Sequence, residues 1–99
     1  MQIDVDGEVI EWRGPAPYLF VALPEDESEV LRERPELSYG WGCIRMQARI
    51  GDARFETSLM PRGGRYLLPI KVAVQRAEDI EAGDRVVASI VVEESGRRS

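Results

Sequence analysis

Residues 44–59 narrow most sharply what this chain can become. Ile44, Met46, Ala48 and Ile50 alternate with Arg45, Gln47 and Arg49; Gly51-Asp52 follows, and Phe55, Thr57 and Leu59 resume the alternation. A period of two sends one set of side chains to a buried sheet face and the other to a wet one. A Gly-Asp pair between two such runs reverses the chain. Two antiparallel strands are expected, with Arg45, Gln47 and Arg49 in a stripe on the polar face.

The remaining segments also read mainly as strands. Residues 2–13 look extended, and the apolar facing shifts after Gly7, which favours a bulge over an Asp-Gly hairpin. Residues 14–17 make a turn. Residues 18–23 are apolar at both parities, so their strand should be buried on both faces. Pro24 opens a helix to about residue 34. Its acidic first turn (Glu25, Asp26, Glu27) and its terminal Arg32 and Arg34 match the helix dipole. Val30 and Leu31 are its expected inward residues, and Pro35 stops it. Residues 66–69 form a short strand. A second helix is expected over about 70–79, with Ile70, Ala73, Val74 and Ala77 on one face. Gly83-Asp84 turns the chain into a last strand over 86–92, where Val87 and Val91 make the second face apolar too. Such a strand lies under a helix in a closed barrel, or at a subunit contact. The expected fold is mainly β: a small closed barrel of about six to seven strands with two short capping helices, near 24–34 and 70–79. It forms one domain over 1–94, with a frayed tail over 95–99.

Composition removes several functions. Ninety-nine residues hold one core. Histidine is absent and Cys43 is the only cysteine. Ser-His-Asp, Cys-His and His-metal chemistry are thereby excluded, as is an internal disulfide. Cys43 reads as a buried, inert thiol at a strand start. No apolar run approaches the roughly 20 residues of a membrane helix. The N-terminus carries acid where a secretory signal carries base, so a cytoplasmic location is expected. A net charge of −5 argues against nucleic acid, whose binders carry basic excess. No cofactor or metal is expected.

Three constellations remain. Twelve arginines stand beside one lysine, Lys71. Codon usage explains the bias plainly; alternatively, one position needs an ammonium. Lys71 opens the second helix, where free N–H groups favour an anion and where a cation adds no helix stability. Thr57, Ser58 and Tyr66 supply hydroxyls, and Arg62 sits in the glycine loop between them. Together they are candidates for holding a carboxylate or phosphate. The plain alternative has Lys71 in solvent and Thr57 and Ser58 in a sheet. The second constellation is Arg45 and Arg49, with Arg54 across the turn: either a dock for an acidic partner or a solvated face paired with Glu56 or Glu11. The third is Trp41 and Tyr39 between Gly40 and Gly42, a ligand wall or a fold-back onto the core.

Gly14-Pro15, Leu23-Pro24, Thr57-Ser58-Leu59, Gly64, Tyr66-Leu67-Leu68-Pro69, Lys71, Val74 and Gly83-Asp84 stand in an order that resembles one bacterial family. It is a domain of unknown function, numbered nineteen-oh-five, often found ahead of a YdeI/OmpD-associated domain. The resemblance covers about residues 2–94. It implies a double-split β-barrel capped by helices, related in shape to the AbrB/MazE swapped-hairpin proteins, and no catalytic residue. Glu27 departs from it, where an apolar residue is expected.

The leading functional reading is a non-catalytic module that binds a small anion or a protein segment. A DNA-binding regulator, by analogy with the AbrB-like fold, comes second and conflicts with the charge. An enzyme relying on Lys71 or Tyr66 comes last.

Overall fold

The computed structural model describes residues 2–12, 18–39 and 42–92. The expected turn over 14–17, Trp41, and the tail over 95–99 lie outside the described residues, as does the Tyr39 side chain. Seven strands alternate with two helices in the order β1 (Gln2–Trp12), β2 (Tyr18–Ala22), α1 (Glu25–Arg32), β3 (Ser38–Tyr39), β4 (Cys43–Ile50), β5 (Ala53–Arg62), β6 (Arg65–Ile70), α2 (Val72–Ala77) and β7 (Arg85–Val92). A 3-10 turn at Pro35–Leu37 precedes β3.

Six of the strands close into an antiparallel barrel. Its order is β4-β5-β6-β2-β1-β7, and β7 pairs back onto β4. The short β3 only extends β4. Both β1 and β5 divide their length between their two neighbours. Residues 2–8 of β1 pair with β7, and residues 9–12 pair with β2. Residues 53–59 of β5 pair with β4, and residues 60–62 pair with β6. The inward rows of Ile3, Val5, Val9, Val21, Ile44, Met46, Leu59, Leu68 and Ile90 fill the interior. Leu31 of α1 joins this core, as do Val74 of α2 and Ile80 beyond it.

The hairpin of β4 and β5 follows the alternation, and residues 19–21 are buried at both parities. Elsewhere the structure corrects the expectations. Gly7 is not a bulge: the β1–β7 ladder runs one-for-one through it, and Ile3, Val5 and Val9 keep one facing. Its lack of a side chain has another cause. A Cβ at Gly7 would lie 2.8 Å from Val21 Cγ1. The inward position where β1 changes partners therefore has no room for a methyl group.

On α1 the buried residues are Ser28 and Leu31, whereas Val30 is exposed. Hydrogen bonds set this phase. The Tyr66 N–H donates to Ser28 Oγ at 3.1 Å, a buried contact, and the Leu23 N–H donates to the Tyr66 carbonyl at 2.9 Å. Arg65 Nε donates to the Leu23 carbonyl at 2.9 Å, and Arg32 donates to the Gly64 carbonyl. The helix is thus tied to the start of β6, and Ser28 must face inward. Glu27 is half-buried. The helix ends at Arg32, two residues short of the expected 34, and Pro35 opens the 3-10 turn instead of stopping the helix.

The second helix is shorter than its pattern. Ile70 belongs to β6, opposite Leu19, and Pro69 lies within that strand opposite Phe20. Lys71 is the N-cap, and the helix holds six residues, of which only Val74 is buried; Ala73 and Ala77 are exposed. A Schellman arrangement ends it. Asp79 takes φ 54°, and the Ile80 N–H donates to the Gln75 carbonyl at 2.8 Å. The Gly83-Asp84 turn then meets β1: Gly83 N–H donates to the Val9 carbonyl at 2.8 Å, and Val9 N–H to the Asp84 carbonyl at 2.7 Å. Asp84 Oδ2 accepts from the Glu81 N–H at 2.9 Å and braces the turn. Neither described helix covers the outer side of β7, and Val87 and Val91 are 60% and 46% exposed.

Candidate functional site

The outer face of β5, β4, β7 and β1 is set by pairing register. Arg54, Arg49, Ser89 and Asp4 stand opposite one another in one row across these four strands. Glu56, Gln47, Val91 and Gln2 form the next outward row. Between them runs the inward row of Phe55, Ala48, Ile90 and Ile3, which is buried. Parity alone therefore places polar side chains outward on either side of β7, with Val91 between them.

An open groove of about 680 Å³ lies on this face, its lining including Gln2, Gln47, Arg49, Arg54, Glu56 and Lys71. Three cations thus meet one carboxylate in a chain whose net charge is −5. Arg49 and Arg54 are direct cross-strand partners, and like charges directly opposite destabilise a ladder. Arg49 Nε donates to the Gly51 carbonyl at 2.9 Å, which holds the guanidinium against the hairpin. Among the described residues no carboxylate forms an ion pair with Arg49, Arg54 or Lys71. The arrangement presents two planar guanidinium forks and an ammonium to solvent, suited to a carboxylate or a phosphate.

The groove joins parts of two constellations that the sequence kept apart. Lys71 arrives from the start of α2, which packs on β5. Arg49 and Arg54 come from the hairpin. The other residues grouped with Lys71 lie elsewhere. Thr57 is inward, opposite Met46, while Ser58 is outward, opposite Arg45. Tyr66 is buried in β6, opposite Pro61, and its backbone N–H and carbonyl are committed to Ser28 of α1 and to Leu23. Arg62 is exposed at the β5–β6 turn, opposite Arg65. None of these four lines the groove. Six residues of helix give too short a dipole to define an anion site at Lys71 alone. Cys43 is a free, half-buried thiol at the start of β4. Sequence reasoning missed Gln2 and Ser89. Only the β1–β7–β4 register brings them to the groove, and nothing local in 1–4 or 88–90 signals it.

A second recess, of about 320 Å³, is lined by Glu11, Leu19, Val72, Gln75 and Ile80 among others. Its walls carry no cation. Among the described residues no group of three or more Cys, Asp or Glu side chains is placed to hold a metal ion, and no helix is long and apolar enough to cross a membrane.

A closed six-stranded antiparallel barrel with two short helices, bearing an outer basic groove, is the class that fold and surface define. The chain matches the family described as Domain of unknown function (DUF1905) over residues 6–90, and it belongs to that family. No curated protein matches it.

Proposed function

We propose that this domain is a non-catalytic binding module and that the groove between β4, β5 and Lys71 is its recognition surface for an anionic group, either a small ion or part of a protein. One observation carries the reading: two arginines face each other across a ladder beside a lysine, and no carboxylate of the described residues pairs with them. A bound anion offsets that repulsion by charge-assisted hydrogen bonds to both forks. The groove is open and solvated, which favours exchange of ligand over enclosed chemistry.

Titration with inorganic phosphate and with citrate at low ionic strength tests it. Arg54→Ala and Lys71→Ala should each weaken binding several-fold, and added salt should weaken it in the parent protein. If the parent and both variants bind equally, or a monomeric parent binds neither anion, the groove is not the recognition surface.

A further inference from the structure

The rows on the outer face carry charge in a pattern that is complementary to itself. On one side of β7 stand Arg49 and Arg54; on the other stand Asp4, Asp6 and Glu8 of β1. Between them, the outward residues of β7 include Val87, Ser89 and Val91. Among the described residues, two of the five exposed large apolar side chains, Val87 and Val91, lie on this one strand, so β7 forms an apolar seam between a basic half and an acidic half.

Rotation by 180° about an axis running along β7, in the plane of contact, lays this face on a copy of itself. It exchanges the β4 side with the β1 side and leaves the level along the strand unchanged. Arg49 and Asp4 flank Ser89 at one level. The rotation therefore sets Arg49 of each copy against Asp4 of the other. At the next level it sets Gln47 against Gln2 and stacks Val91 on Val91. A two-fold axis perpendicular to the strands would instead oppose arginine to arginine, so the charge pattern selects one orientation.

Asp4 is prepared for such a partner. Ser89 Oγ donates to its Oδ1 at 3.2 Å, and among the described residues its second oxygen has no partner. Asp6, by contrast, is paired with Arg85 at 2.9 Å.

From this we infer that the anionic group recognised by the groove is the Asp4 carboxylate of a second copy, in a two-fold dimer seamed along β7. The inference rests on the groove being an anion-recognition surface, and it names the occupant.

Analytical ultracentrifugation of Arg49→Asp, Asp4→Arg, their equimolar mixture and the double variant provides the test. Each single variant opposes like charges in its own dimer and should dissociate at least ~10-fold more readily than the parent. The mixture should restore dimers. In a mixed pair the introduced aspartate meets the introduced arginine, while the native Asp4 of one copy meets the native Arg49 of the other. The double variant should dimerise by itself. Val87→Asp, which sets two carboxylates together on the axis, should also give monomers. Restoration in the mixture establishes the pairing. A parent chain that stays monomeric at millimolar concentration overturns the dimer. So do single variants that dimerise like the parent. Phosphate binding that still depends on Arg54 and Lys71 would then leave the groove's role standing, whereas its absence would remove both.

Discussion

Gly7→Ala probes the point where β1 leaves β7 for β2. Gly7 has no positive φ, so a methyl group there meets a packing obstacle, not a backbone one. The obstacle is Val21 Cγ1, 2.8 Å from the ideal Cβ position. Val21 is fully buried, and its branched side chain is stiff at χ1, so it cannot swing aside. Overpacking of this kind costs about 1–3 kcal/mol. Val21→Ala alone removes two buried methyl groups and leaves a small void, a loss of about 2 kcal/mol. In the double variant the new methyl group at position 7 occupies space that Val21 vacated. The double variant should therefore lose only about 1–2 kcal/mol, against a sum of about 4 for the singles, a coupling of about 2–3 kcal/mol. Urea unfolding of the four proteins measures it, and a domain of this size shifts in Tm by about 4–8 °C per kcal/mol. Costs that add to within about 0.5 kcal/mol would refute the close approach of β1 and β2 at this residue.

Two further outcomes follow from the core. Ser28→Ala strands the buried Tyr66 N–H and should cost about 1–3 kcal/mol, with faster hydrogen exchange at the Tyr66 amide as the local readout. Asp79→Gly relieves a left-handed residue at the end of α2 and should stabilise the domain by about 0.5 kcal/mol in the same denaturant assay.

Where the sequence was legible, one physical rule dominated. The alternation around Gly51 gave β4 and β5 because one face of each is dry and the other wet. It also separates Thr57 from Ser58, since neighbours in a strand face opposite ways, so their grouping in one site conflicted with a signal already present. The second helix was overextended because alanines at helical spacing imitate an apolar stripe while burying little, and because Ile70 serves the sheet, opposite Leu19. The phase of α1 was illegible for a different reason. Val30 and Leu31 are adjacent, and the choice between them falls to Ser28, whose bond to Tyr66 spans 38 residues. The groove required the same kind of information. Arg49 and Arg54 were readable as neighbours across a turn, but Lys71 joins them only once α2 has packed on β5. The outward valines of β7 posed the opposite problem: their pattern asked for a cover that none of the described residues supplies.

The position of β7 in the barrel has a consequence for how the protein is made. It follows the other six described strands in the chain, yet it lies between β1 and β4, joining residues 85–91 to 2–8 and residues 88–92 to 46–50. A ribosome must deliver every earlier strand before the cylinder can close. During that interval β1 and β4 both carry unsatisfied edges, the state in which nascent chains cross-pair with their neighbours. Premature termination before β7 leaves two sticky borders instead of one frayed end, so closure of the barrel depends on completing β7.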